Sequence, residues 1–217
     1  MKRAIVVAIS VLLALVVAAP IASGQSSSQS QNLGQLTAEW WNWAFSISPS
    51  PLEGSYEGGA QCNGEYVAGV FFLAGALGGS RVDRTCTVPA NTPILFSPFN
   101  YLCSDVFGDP EPLDTACATP ITDATIDPPS SFYARVDGKD ANQQRIASGL
   151  FQLTIAVDNP RIGVEAGTYE AAQDGLWVYL EKGLKEGKHT VQFGGTFKDT
   201  PLGDFKGTKV TYKLTAR

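Results

Sequence analysis

The chain has 217 residues, 44% of them hydrophobic and 17% charged, with 16 Lys and Arg against 21 Asp and Glu and a formal charge of -5. That length and apolar content suffice for one well-buried core, and an all-β domain of this size commonly stays single. The acidic balance, with no basic run, speaks against nucleic acid and anionic membrane surfaces as partners.

Lys2-Arg3 followed by the uncharged run 4–18 has the charge and length of a secretory leader. The run is about 15 residues, short of the roughly 20 that a membrane-spanning helix needs, and Ala22 and Gly24 fit the small-residue positions of a cleavage site. Cleavage after Gly24 takes Lys2 and Arg3 away and leaves a chain from Gln25 with 14 basic and 21 acidic side chains, a formal charge of -7. No cysteine near that site carries a lipid, so a secreted, extracellular protein is expected, with the periplasm or cell surface as variants and an uncleaved anchor as the alternative. The four cysteines, none in a C-x-x-C pair, read as two disulfides rather than a zinc site, which has only His189 to join the thiols. Three connectivities exist; the sequential one, Cys62 with Cys86 and Cys103 with Cys117, is favoured because each bridge closes a short loop.

Residues 25–36 begin as a serine and glutamine tract and are expected to be a flexible lead-in. Leu33, Leu36, Trp40 and Trp43 recur at helical spacing, and Trp41 and Phe45 lie four apart. A short helix over 37–45 is predicted, with Thr37 as its cap and Pro49 and Pro51 ending it. Trp40, Trp41 and Trp43 are read first as a clamp onto a sheet, and second as the source of one exposed ligand platform. After a glycine-rich loop with Glu53 and Glu57, Asn63-Gly64 launches a strand over 66–73, apolar on both faces. A turn over 75–80 leads to 81–88, where Val82, Cys86 and Val88 share one face with Arg84 and the other carries Arg81, Asp83, Thr85 and Thr87. Arg84 is the odd member: either a bulge turns it outward, or it is partly buried against a carboxylate and marks a polar spot for a ligand.

A third apolar run covers 93–99, and 100–127 is predicted as the longest irregular stretch, with Asp105, Asp109, Glu111, Asp114, Asp123 and Asp127. Asp105, Asp109, Glu111 and Asp114 form the candidate cation site, since calcium takes six to eight oxygens in irregular geometry. They lack the alternating pattern of an EF-hand, and a charged solvent loop is the competing reading. Strands follow at 131–136, 150–157, 167–169, 176–180, 189–193 and 208–215, with Asp137-Gly138 and Asp174-Gly175 as turns. The expected fold is mainly β: a single antiparallel two-sheet sandwich, jelly-roll or Ig-like, with one short N-terminal helix. Its organisation is a leader over 1–24, a lead-in over 25–36 and one domain over 37–217.

Several phrases carry a resemblance: Trp40-Trp41-x-Trp43, Phe71-Phe72-Leu73-Ala74-Gly75, Arg84-x-Cys86-Thr87-Val88-Pro89, Ile94-Leu95-Phe96-x-Pro98-x-Asn100, Asp174-Gly175-x-Trp177 and Gly187-Lys188-His189-Thr190. Over most of the chain beyond the leader, the sequence is similar to a group of exported bacterial and archaeal proteins of unknown function. The resemblance implies export, the cysteine framework and a single domain, and it transfers no activity.

Catalytic chemistry finds little purchase. His189 is the one histidine, and no serine lies in a G-x-S-x-G elbow beside it. Glu165, Glu170 and Glu181 supply carboxylates for a glycosidase pair, but their default role is a solvated face. The expected function is therefore that of a binding or cell-surface or matrix protein without catalysis, its partner a glycan or envelope component. A carbohydrate-active hydrolase on the same scaffold and a self-assembling envelope subunit are the alternatives.

Overall fold

A computed structural model describes residues 24–46, 62, 64–67, 69–76, 81–126, 131–158, 163–197 and 205–217. The expected leader up to residue 23 and the loop 47–61, with Glu53 and Glu57, lie outside the described residues. The elements in order are helix α1 (Gly24–Ser46), β1 (Gly64–Val67), β2 (Val70–Leu73), β3 (Arg81–Val88), β4 (Ile94–Ser104), a 3-10 turn (Asp105–Phe107), helix α2 (Leu113–Ile126), β5 (Ser131–Val136), β6 (Lys139–Asp140), β7 (Gln144–Ile155), β8 (Gly167–Leu180), β9 (Gly187–Phe197) and β10 (Phe205–Ala216). The chain is mainly β, in two five-stranded sheets. Sheet A has the order β1-β2-β4-β8-β7 and sheet B the order β3-β10-β9-β5-β6.

Both sheets are mixed, which corrects the purely antiparallel expectation. Strand β2 lies in sheet A, β3 in sheet B and β4 in sheet A again, so the chain returns to β2 through the opposite sheet and pairs with it in parallel. The last strand, β10, enters between β9 and β3 and runs parallel to β3 from Lys209↔Arg81 to Ala216↔Val88. The single strand expected over 66–73 is instead a hairpin: Val67↔Val70 closes it, and Gly69 supplies the positive φ of +88° that a side chain disfavours.

The domain has three layers. Sheet A sits in the middle, because β2 and β4 are apolar on both faces. Phe71, Leu73, Ile94 and Phe96 face sheet B with Val82, Val88, Val191, Phe193, Val210 and Leu214. Val70, Phe72 and Leu95 face α1 on the other side, with Leu153, Ile155 and Trp177. Pro98, which has no N–H to give a ladder, falls at a bulge in β4 where Phe96↔Val178 shifts to Phe99↔Leu176.

Helix α1 is longer than the short helix expected. It begins at Gly24, and Leu33 and Leu36, in the segment read as a lead-in, are buried. Thr37 is not its cap: its hydroxyl donates back to Gly34 O at 2.7 Å and accepts Gln173 Nε2 at 2.6 Å. The helix lies close enough to β7 that a Cβ added at Gly34 would stand 2.8 Å from Ala147 O. A second helix, α2, replaces much of the stretch expected to be irregular, and Leu113 packs with Cys103, Cys117 and Ala172. Asp174-Gly175 is not a turn. It lies inside β8, where Asp174 is held by Arg145 and the bare Gly175 admits Asn100 at its side.

Candidate functional site

The cysteines pair as expected, Cys62 with Cys86 and Cys103 with Cys117. The tryptophans are core. Trp40, Trp41 and Trp43 are 1%, 7% and 5% exposed, and Trp40 meets Trp41, Trp43 and Trp177 edge to face at 5.2, 5.8 and 5.3 Å. Their polar edges turn inward as well: Trp40 Nε1 donates to Leu73 O at 3.1 Å and Trp43 Nε1 to Glu65 Oε2 at 2.9 Å. An exposed ligand platform is therefore not what these rings form. Each buries roughly 150–250 Å², a gross gain of about 4–6 kcal/mol that clamps α1 to sheet A.

Arg84 is 3% exposed, and β3 alternates without a register shift, so no bulge turns it outward. Its Nη1 donates to Ala74 O, Gly75 O and the Tyr212 hydroxyl at 2.7, 2.9 and 2.8 Å, and its guanidinium lies over the Tyr212 ring. Burial pushes the Tyr212 hydroxyl up to about 12 although Arg84 opposes it, so the phenol stays protonated and donates to Ala74 O at 3.0 Å. This cluster is interior, and ties the chain after β2 to sheet B.

The acidic residues of the candidate calcium site work singly, three of them on the backbone and Asp105 on a side-chain hydroxyl. Asp109 accepts Ser104 N–H, Asp105 accepts the Ser104 hydroxyl, Glu111 accepts Leu113 N–H and Asp114 accepts Thr115 N–H. Glu111 and Asp114 thereby serve the N-terminus of α2, where negative charge is favoured. Among the described residues no three His, Cys, Asp or Glu side chains come together to hold a metal ion. Glu165, Glu170 and Glu181 are exposed. His189 bonds Asp137 and the Lys185 carbonyl rather than a nucleophile.

The feature that linear reading missed is the outer face of sheet B. The inner face of that sheet is Val82, Val191, Phe193, Val210, Tyr212 and Leu214, so the alternate residues face out. Register then sets Arg81 beside Lys209, Lys209 beside Gly194 and Gly194 beside Tyr133. The next outward row is Asp83, Thr211, Gln192, Arg135 and Asp140; beyond it come Thr85, Lys213 and Thr190, then Thr87, Thr215 and Lys188. Arg81, Arg135, Lys188 and Lys213 are exposed and Lys209 half-buried. Arg135 is bonded to Asp140 at 3.0 Å and lies over the Tyr133 ring at 5.7 Å. Burial raises the Tyr133 hydroxyl against the pull of Arg135 and Arg81, which keeps it a donor. Among the described residues, Arg81, Lys188, Lys209 and Lys213 take part in no ion pair.

No protein-family model, curated protein or solved structure matches this chain. Function must therefore be read from the surface itself. Five cations stand against Asp83 and Asp140 on this face, in a chain whose formal charge is -5. The expectation of no basic cluster holds along the sequence and fails on the folded surface. Lys209 and Lys213 lie four apart on β10 while Arg81, Arg135 and Lys188 stand singly on β3, β5 and β9, and only strand pairing brings them together.

Proposed function

We propose that this protein is exported and acts by binding, as a cell-surface or matrix component without catalysis, and that the outer face of sheet B contacts its partner. The observation that carries the reading is that this face is hydroxyl-rich and cationic, while the central strands β2 and β4 of sheet A are covered on both faces. The two disulfides suit an oxidising compartment, and the sequence resemblance to exported proteins points the same way. Among the described residues no helix is long and apolar enough to cross a membrane.

The partner class is a glycan or envelope component, because threonine hydroxyls, Gln192 and Tyr133 offer donors and acceptors suited to sugar hydroxyls. Protein recovered from the medium of an expressing host and applied to a glycan array should bind a defined subset of glycans. Turnover of a polysaccharide or ester substrate that is abolished by replacing one carboxylate would instead establish the hydrolase.

A further inference from the structure

The remaining polar clusters of the described residues are occupied. Arg145 donates three hydrogen bonds to the Asp174 carboxylate, Gln173 is shared by Thr37, Ile146 O and Trp177, and His189 spans Asp137 and Lys185 O. Among the described residues Arg81, Lys188, Lys209 and Lys213 pair with no carboxylate, whereas Arg135 on the same face is held by Asp140. Lys209 and Lys213 are four residues apart on β10, about 14 Å at the usual rise of a strand. Arg81 sits one strand over from Lys209, roughly 5 Å away. Lys188 is paired with Thr215, two residues beyond Lys213 and so about 7 Å further along. A line of positive charge about 20 Å long therefore follows β10 and β9, with Thr85, Thr190 and Thr215 between the charges and Thr211 buried beneath them.

We infer that the occupant of this face is an acidic polysaccharide lying along β10, its anions on Arg81, Lys209, Lys213 and Lys188 and its hydroxyls on the threonines; this rests on the reading of the face as the binding surface. Charge complementarity selects an anion-bearing chain, and the length of the line selects a polymer over a single small anion. The rest of the face decides among polymers. A bilayer surface calls for apolar side chains to insert, and among the described residues the exposed large apolar ones, Tyr66, Phe107, Leu150 and Val157, all lie elsewhere. Single-stranded nucleic acid calls for successive aromatic platforms, whereas Tyr133 stands alone here with Arg135 over its ring.

The test is a titration of the exported protein with polygalacturonate, its fully methyl-esterified form and poly(glycerol phosphate), with a single-stranded oligonucleotide and phosphatidylserine vesicles as competing probes. The inference expects salt-sensitive binding to polygalacturonate, weakened about tenfold or more by esterification and by the double change Lys209→Gln and Lys213→Gln. Asp83→Asn should tighten it. Binding of poly(glycerol phosphate) and not of polygalacturonate overturns the polysaccharide and leaves an anionic polymer as the occupant of the face. Far-ultraviolet dichroism should not change in these variants and the urea midpoint should move little, since Asp83 and Lys213 are exposed and Lys209 is half-buried on the outer face. Equal binding of the esterified polymer overturns the acidic ligand and leaves the binding function standing. Binding undiminished by the double change overturns the location. Preference for the oligonucleotide or the vesicles overturns the polysaccharide, and no binding to any glycan overturns this inference and the proposed function together.

Discussion

Both ring nitrogens of His189 face acceptors: Nδ1 is 2.7 Å from Asp137 Oδ2 and Nε2 is 2.9 Å from Lys185 O. Only the imidazolium, with a proton on each nitrogen, donates to both at once. The bond to Asp137 raises its pKa above 6.5 against the opposing effect of burial. Burial alone would raise the Asp137 carboxyl too, but bonds from His189 and Thr190 N–H outweigh it and bring the carboxyl below 3.8. A raised histidine contributes stability that is complete below pH 6.5 and lost as pH rises through the folded-state value; a lowered aspartate contributes above pH 3.8 and loses it as pH falls. Stability should therefore peak between those limits and decline on the alkaline side. In His189→Gln the alkaline decline should disappear; urea midpoints from pH 5 to 9 that fall equally in both proteins would remove His189 as its cause.

Arg84 shows what one residue reveals before folding. Its break in the alternation of β3 is legible from the sequence and marks it as buried or displaced. Its partner is not legible, since Tyr212 lies 128 positions away and joins it only through the parallel pairing of β10 with β3. Tyr212→Phe should cost about 1–3 kcal/mol in urea unfolding, because it leaves a buried guanidinium N–H and a carbonyl without the phenol. A loss below a few tenths would assign the cluster to packing alone.

At the scale of elements, α1 is a cover for an edge as well as a layer. Strand β7 ends sheet A, and its outer backbone would offer a template to another chain. Asn42 occupies that place: Nδ2 donates to Gln152 O at 3.1 Å, Oδ1 accepts Thr154 N–H at 2.7 Å, and Phe45 O accepts Ala156 N–H at 3.2 Å. Asn42→Ala should cost about 1 kcal/mol and produce concentration-dependent association by analytical ultracentrifugation. A variant that stays monomeric at high concentration would show that α1 itself, and not the Asn42 amide, shields the edge. The tryptophan periodicity made a helix over 37–45 readable. The helical assignment further upstream was hidden by the serine and glutamine tract, which carries no apolar period. Helix α2 was hidden for the opposite reason: Pro120 stands within it and prolines crowd its approach, so punctuation outweighed helical spacing.

Over the whole molecule, the strands and their inward faces were readable because period-2 alternation is local, while register and sheet order were not, because they are set between distant segments. The cationic face and the mixed pairing both belong to that second class. The disulfides join the two levels. Cys62–Cys86 closes 24 residues and ties the segment before β1, in sheet A, to β3 at the edge of sheet B. Cys103–Cys117 closes 14 residues and ties β4 to α2. By chain entropy each is worth about 3 kcal/mol, with the longer loop slightly ahead. Their consequences should still differ. Sheets A and B share the large central core, so Cys62→Ala with Cys86→Ala should lower the global urea midpoint while the cooperative transition survives. Helix α2 rests on a small cluster made of Cys103, Leu113, Cys117 and Ala172, half of it the bridge itself. Cys103→Ala with Cys117→Ala should therefore release α2 first, seen as faster amide exchange over 113–119 with the β8 and β9 amides still protected. Exchange that accelerates equally across α2 and both sheets would show that α2 unfolds only with the whole domain.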